Sequence, residues 1–595
     1  MFRRLRFWLI AAFGPAIPLV CLTTGCSRNS TPSVGVTPTA VESKPDPIFK
    51  ERTADCGINF TYHNGQEAKH FAILESLGGG VSLLDYDGDG LLDVFVTGGG
   101  YFDGKDKRDI KGYPCKLYKN LGNFKFKDVT HEVGLDRLAG GQPWFYTNGT
   151  AVADYDNDGH PDLLVTGYGR VALLHNIKDP KTGGRRFEDV TAKAGLNDKL
   201  WSTSAAWADF DGDGYPDLYI CHYVNWSWQN HPTDCRYATN QRDVCPPKRF
   251  QALPHVVYHN NGNGTFTDVS KSAGILQPHA LKEGKGLGVV VADFDNDSKP
   301  DVYVATDEMD NLLYMNKSTP GHIHFEEQAV LRGVARDDNG SPNGSMGVTA
   351  GDYDGSGNFS LFVANYEKEM HALYRNRGSG QFSFTSQKAG IAAIGLVYVG
   401  FGTGFLDYDN DGNLDIFVAN GHVIRYPTPP MTVAQHPVLL RNMRQPKQKP
   451  YDVRFKEVSK VAGPYFDAVH TSRGAAFGDL TNNGKIDIVI SNVNEPVAVL
   501  ENVDPNKNHW LGVRLVGKKY RDAVGAKLVL EVNGQKLTRT ILGGGSYCSA
   551  SDPRVVFGLG DATKVGKLTV VWPNSNKKQE WTGLAIDKYQ TLAEK

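Results

Sequence analysis

The sequence has no excess charge of either sign: 64 Lys and Arg stand against 66 Asp and Glu in 595 residues, a formal charge of −2. A nucleic-acid binder needs a basic face, and this balance gives no electrostatic case for one. Cysteine is scarce, with eight residues, and none falls in a C-x-x-C pair or another zinc spacing. No H-E-x-x-H or G-x-S-x-G motif occurs, and the histidines are scattered. Segments such as Gly286-Leu287-Gly288 and Gly400-Phe401-Gly402 open strands, whereas a dinucleotide fingerprint has to open a helix. The one long apolar run, Phe7–Leu22, is interrupted by Gly14, Pro15 and Pro18 and is too short for a comfortable membrane span.

That run follows the basic stretch Met1–Arg6 and ends in Leu22-Thr23-Thr24-Gly25-Cys26, the order of an export signal. Its end resembles a bacterial lipobox, with Thr23 where leucine is commoner. Residues 1–25 are therefore expected to be a signal peptide and Cys26 a lipidated N-terminus, placing an exported lipoprotein on a membrane, at the outer-membrane or periplasmic face or the cell surface. Residues 26–47 are rich in Ser, Thr, Pro and Val and cannot bury enough surface to order themselves. They read as a tether.

Abundance lies elsewhere, in 66 glycines, which ask for many short strands and tight turns. A single pattern recurs seven times: small residues, a carboxylate-rich loop, an apolar run, a segment ending in Asn, and usually a Phe-x-Asp/Glu segment. The loops begin at Asp85, Asp154, Asp209, Asp293, Asp352, Asp407 and Asp479. Apolar runs such as Val94-Phe95-Val96 and Ile488-Val489-Ile490 read as buried strands, and the stretches before the loops, often poor in bulk as in Ala205-Ala206 or Gly400-Phe401-Gly402, as innermost strands on a crowded axis. The seven units spell an all-β, seven-bladed β-propeller over residues 48–506. The last unit lacks its Phe-x-Glu segment, and Phe49-Lys50-Glu51-Arg52-Thr53 supplies that pattern at the other end of the chain. The N-terminal strand is expected to close the seventh blade. Weaker copies of the fourth strand are read at Phe325 and Phe384.

Four loops match D-x-D-x-D-G-x-x-D in full: Asp85, Asp87, Asp89, Asp93; Asp154, Asp156, Asp158, Asp162; Asp209, Asp211, Asp213, Asp217; and Asp407, Asp409, Asp411, Asp415. Such carboxylates repel one another unless a cation sits among them. Positions one, three and five turn oxygens to one centre, glycine at six permits the turn, and the ninth position closes the shell. Hard oxygen ligands favour calcium over zinc. The loop of Asp293, Asp295, Asp297 and Asp301 has Ser298 at the glycine position, a conformational cost. The loops at Asp352 and Asp479 each lack two acids. Calcium at about five sites is therefore the expected cofactor.

These loops make the chain resemble the FG-GAP/VCBS propellers, the repeat family that includes integrin α-chain heads. Gly78-Gly79-Gly80, Asn420-Gly421-His422-Val423, Arg473-Gly474, Arg521-Asp522-Ala523-Val524-Gly525-Ala526, Gly543-Gly544-Gly545-Ser546-Tyr547, Phe557-Gly558-Leu559-Gly560 and Val571-Trp572-Pro573 together are similar to the ASPIC/UnbV family, related to cartilage acidic protein. The resemblance implies an extracellular calcium-binding propeller with a small C-terminal module and assigns no general activity. Read from its own alternation, 507–595 is a small β-sandwich-like domain. Trp572-Pro573 and Phe557–Gly560 are read there as core and turn residues, with the lining of a ligand site as the alternative reading.

No catalytic residue is assigned, and a binding or adhesion module for a protein or glycan at the cell surface is the expected function. A glycan hydrolase or lyase and an envelope scaffold are the alternatives; an enzyme would need groups outside the loops, and His371, His422 and His470 show no pairing in sequence. The candidate partner surface is the excursion of about Asn225–Pro254, too long for a hairpin, with Trp226, Trp228, Tyr237 and Phe250 as aromatic anchors. The other reading is that these aromatics pack the loop onto the propeller. Cys235 and Cys245 are a candidate disulfide within it.

Overall fold

The structure is a computed structural model and describes residues 46–276 and 284–595. The predicted signal peptide and Cys26 lie outside the described residues.

Seven four-stranded antiparallel units follow one another, and in each the innermost strand leads into a carboxylate loop and the second strand. The inner strands are Val81–Leu84, Thr147–Ala153, Ser202–Ala208, Gly286–Ala292, Asn343–Gly351, Gly400–Leu406 and Ser472–Gly478, here blades one to seven. Each packs on the next, and the seventh returns to the first, so the ring is closed. Closure is made by Phe49–Glu51, which pairs with Ala498–Asn502 with Phe49 opposite Asn502. Every blade repeats that register: Asn120 faces Phe126, Asn260 faces Phe266, and Asn316 faces Phe325. In blade five the partner of Asn376 is Phe382, so the fourth-strand copy is Phe382 and not Phe384, which lies opposite Tyr374 two positions on.

The asparagine that ends each third strand does more than turn the chain. Its Nδ2 donates to a backbone carbonyl just before the ninth position of its own loop and to the carbonyl at the second position of the preceding blade's loop. The second set runs Asn120 to Leu480, Asn176 to Tyr86, Asn260 to Tyr155, Asn316 to Phe210, Asn376 to Phe294, Asn442 to Tyr353 and Asn502 to Tyr408, at 2.8–2.9 Å. Seven buried amides thus staple seven blades in a ring. Asn316→Ala should lower stability by about 2–4 kcal/mol, because two buried carbonyls are left without donors. A denaturation curve checks it, and a change below about 0.5 kcal/mol would make the staple ornamental.

Residues 509–595 form a three-stranded sheet, with His509–Val516 between Val555–Gly560 and the parallel strand Tyr589–Ala593, and a four-stranded sheet of Lys527–Val532, Gln535–Thr540, Leu568–Val571 and Lys578–Trp581. Their apolar faces share one core with blades three and four, where Val524, Ile541, Phe557 and Trp572 meet Ala206, Val289 and Val291. Phe557 and Trp572 are buried core residues.

From this module one segment, Gly543–Asp552, enters the centre of the ring and bonds to every blade in turn. Gly545 N donates to Val289 O, Ser546 N to Val348 O, and Ser546 Oγ to Ala475 O while it accepts from Thr403 N. Cys548 N donates to Ser204 Oγ, Thr150 N to Cys548 O, and Ala550 N to Val81 O. Close approach explains the glycines of the inner strands: a Cβ on Gly80 would lie 2.3 Å from Cys548 O, and one on Gly474 2.4 Å from Ser549 Oγ. Only a residue without a side chain fits there. The chain itself therefore threads the central channel.

Candidate metal centre and its surroundings

Each loop is shaped by its own acids before any ion is considered. The first aspartate accepts the backbone N–H at position six through Oδ2, as Asp85 does from Gly90 at 3.0 Å and Asp209 from Gly214 at 3.1 Å. The glycine there has a left-handed φ, +88° at Gly90 and +104° at Gly214, and Ser298 takes +70° in its place. The fourth loop therefore keeps its shape at the cost a side chain incurs in that region, about 1–2 kcal/mol. The ninth-position aspartate is a fully buried staple. Asp93 takes Tyr86 N on one oxygen and Asn120 N on the other, and Asp217 takes Phe210 N and Asn260 N.

Several loop oxygens have no such partner. Asp154 Oδ1, Asp211 Oδ2, Asp407 Oδ1 and Asp409 Oδ1 are buried and accept no hydrogen bond, and Asp87 Oδ1 and Asp295 Oδ1 share that state. Asp85, Asp87 and Asp93 bring ligand atoms within 4.8 Å of one another, as do Asp154, Asp156 and Asp162. Burial pushes the Asp93 carboxyl up to about 8. It does the same to Asp209, to about 8, with neighbouring carboxylates adding to the shift. Burial and then Asp522 raise Asp154 to about 7. Buried like charges with unused acceptors, on a loop preformed by backbone N–H groups, are what a hard cation needs. The residues fit calcium: positions one, three, five and nine supply carboxylates, and the ion would supply the missing positive charge.

In five blades the residue before the third-strand asparagine also reaches its loop, a contribution the sequence reading missed. Lys119 pairs with Asp87 and Asp89, Arg375 with Asp354 at 2.6 Å, and Arg441 with Asp409 at 2.6 Å. His175 lies 2.9 Å from Asp156, and His259 3.1 Å from Asp217. Its signal was present, a recurring basic or imidazole side chain one residue before the repeated Asn, but strand alternation had to be known to aim it at the loop. Blade four has Met315 there, with Arg332 3.7 Å from Asp295, and blade seven has Glu501, which pairs with Arg52.

The C-terminal module sits on these loops. Arg521 Nε pairs with Asp154 at 3.2 Å and Asp522 accepts Asp154 N at 2.9 Å. Asn574 bonds to Asp209 O and Ser298 O, Lys527 to Asn296 and Gly357 O, and Arg539 to Gly412 O. At the degenerate seventh loop, Tyr589 donates to Asp479 Oδ2 at 3.0 Å and Arg554 to Asp479 O. A docking contact stands there where the other loops have acids.

On the opposite mouth of the channel the separated family-like segments meet. Arg473 is fully buried and donates to the carbonyls of Ser76, Gly421 and His422, while its guanidinium lies 4.1 Å from the centre of the Phe401 ring. Tyr547 packs on the other edge of Phe401, with its hydroxyl accepting Gly78 N. Burial lowers the Arg473 guanidinium to about 10. The histidines weighed as catalytic have separate structural partners: His371 accepts Asn365 N, His422 lies 3.3 Å from Glu367, and His470 lies 3.0 Å from Glu495.

The excursion between the second and third strands of blade three folds back over that mouth. Cys235 and Cys245 are joined by a disulfide. Trp226 is 2% exposed and Phe250 7%, both within one cluster with Trp201 and Tyr223, so these two are packing residues and not contact anchors. Their apolar area is already spent on the propeller. Tyr237 is half-buried with its hydroxyl on Val244 O, and Trp228, also half-buried, keeps Arg108 over its ring. Cys56, Cys115, Cys221 and Cys548 are buried free thiols.

Comparison with known proteins places both parts. The family model described as FG-GAP-like repeat matches residues 85–165, 154–220, 254–304 and 352–418, and the one described as ASPIC and UnbV matches 516–595. Cartilage acidic protein 1 of Mus musculus is 26% identical over 365 residues, 58% of this chain and 49% of the relative, so the chain spans about half the length of that protein. The same protein of Xenopus tropicalis is 24% identical over 486 residues, covering 72% of this chain and 70% of the relative. Among solved structures, an Agrocybe aegerita lectin described by its recognition of non-reducing terminal N-acetylglucosamine is 14% identical, with TM-score 0.36 over 71% of this chain and 87% of the lectin. The rhamnogalacturonan lyase YesW has TM-score 0.29 at 12% identity, over 74% and 90%. Neither overlap carries a functional argument. FG-GAP-like repeats therefore match within blades one to six, and the model described as ASPIC and UnbV matches the C-terminal segment that docks on the blades.

Proposed function

We propose that this chain is an exported, lipid-anchored, calcium-binding propeller that serves as a binding or adhesion module for a protein or glycan at the cell surface. The observation that supports it best is the set of buried loop oxygens that accept no hydrogen bond, in Asp154, Asp211, Asp407 and Asp409. Calcium would be held by the first, third, fifth and ninth positions of loops one, two, three, four and six. An ion would have to displace Lys119 in loop one, Arg521 in loop two and Arg441 in loop six from the carboxylates they pair with. Lipid attachment at Cys26 rests on the sequence alone. A binding role suits a channel whose middle is threaded by the chain's own Gly543–Asp552. No helix among the described residues is long and apolar enough to cross a membrane.

Calcium binding is tested by equilibrium dialysis at 1 mM free calcium with metal analysis. About five ions per chain are expected, and Asp211→Ala should remove one while Asp354→Ala, in the degenerate loop, removes none. A chain that holds no calcium under these conditions defeats the proposal.

A further inference from the structure

The C-terminal module touches six of the seven loops and overhangs the first. Among the described residues it makes no hydrogen bond or ion pair with Asp85–Asp93, and at this place the seam opens into a cavity of about 510 Å³. Its floor is apolar, made by Leu83, Leu92 and Val152 of blades one and two and by Ile541. Its roof is the face of the three-stranded sheet that carries Arg514, with Thr591 directly beside it in the parallel register. A volume of this size is within the range of small-ligand sites, about 300–1,000 Å³.

Charge around the cavity is unevenly committed. Asp552 is held by Arg554 through both oxygens at 3.0 Å, Asp154 by Arg521, and Asp587 by His509 and Trp510 N. Asp85 takes the N–H groups of Gly88 and Gly90, and Asp522 takes Asp154 N. Each of these carboxylates has at least one partner, although Asp154 Oδ1 accepts no hydrogen bond, and Arg514 lies near enough to Asp522 to favour its charge. The basic side chains of Arg514 and Lys588 are exposed and have no hydrogen bond or ion pair among the described residues, although both line the same opening. Arg514 presents a planar fork of donors suited to a carboxylate.

We infer that this seam cavity binds a compact carboxylate-bearing molecule of up to disaccharide size, with the carboxylate on Arg514 and Thr591 and the body on the leucine and valine floor. The inference does not depend on metal in the loops. It adds to the proposed binding role a defined site, away from the blade-three excursion.

The test is calorimetric titration of the full chain in calcium buffer with two acids, glucuronate and benzoate, against their uncharged counterparts glucose and benzyl alcohol. The two acids separate a sugar acid from an apolar acid as the source of the carboxylate. At least one acid should bind, with its neutral counterpart at least tenfold weaker. Arg514→Gln should weaken that acid at least tenfold and Arg514→Lys less, both with unchanged melts and unchanged calcium content, because the side chain is exposed and outside the loops. Absence of binding by both acids, equal binding of the neutral counterparts, or full binding by Arg514→Gln would overturn the inference. Loss of calcium binding with retained acid binding would instead count against the proposed metal sites alone.

Discussion

A chain ending at Asn506 is expected to lose its cooperative unfolding transition altogether. The cut removes the segment Gly543–Asp552, which hydrogen-bonds to all seven inner strands, and the side chains of Val524, Ile541, Phe557 and Trp572 from a core they share with blades three and four. Each large apolar side chain withdrawn from such a core costs about 1.5–3 kcal/mol, and four of them alone approach the net stability of a whole domain, about 5–15 kcal/mol. The inner strands would also face water with small residues and unpaired N–H groups such as those of Val348 and Thr150. Calorimetry should show no transition, and soluble expression should fall. A truncated chain that melts within a few degrees of the full one would mean that the propeller is self-sufficient and the module only a passenger.

Deleting the closing strand, Phe49–Glu51, should be nearly as severe. Phe49 is 1% exposed and packs 6.0 Å from Phe466, and removing such a buried aromatic costs about 3–5 kcal/mol before the lost pairing with Ala498–Asn502 is counted. Blade seven would also gain an open edge beside blade one. We expect a lowered melt with an increased tendency to aggregate, whereas deletion of residues 27–44 should leave the melt unchanged. A closing-strand deletion that melts like the parent would show that the ring is held by the module and not by its own ends.

The parts of this structure that could be read from sequence are those in which one residue type recurs at one place in the repeat. Phe49 was assigned to blade seven because Phe-x-Glu is present at the start and missing at the end, and the structure pairs it with Asn502. Loops were legible because carboxylates at alternate positions have few other uses. The one misplaced strand, at Phe384, arose because Phe382 and Phe384 flank a single serine, and alternation cannot say which of two phenylalanines faces Asn376. The channel segment could not be found this way. Gly543–Asp552 has no periodicity, and its partners Val81, Thr150, Ser204, Val289, Val348 and Ala475 are dispersed over most of the chain. Trp226 and Phe250 were ambiguous for a related reason: an aromatic in a long loop looks the same whether its partner is another molecule or the chain's own Trp201.

The role of the seven asparagines was half visible. Their backbone turn follows from the side-chain oxygen, as in Asn316 Oδ1 accepting Ser318 N at 2.8 Å. Their second role, bonding to the neighbouring blade's loop, depends on the distance between blades, which no single repeat contains. The same holds for Arg521, Arg539 and Tyr589, whose targets are loop residues more than one hundred positions earlier. These contacts tie the acidic loops to the module, and they make the loops a platform as well as candidate ion sites.

The most direct test of that account is the thermal melt of the full chain in 1 mM calcium and in excess chelator. With sites of about 0.1 mM affinity, each occupied loop contributes about 1.4 kcal/mol, so about five of them should raise the melt in calcium by several degrees, and Asp211→Ala should shrink the difference. Identical melts in calcium and in chelator would contradict it.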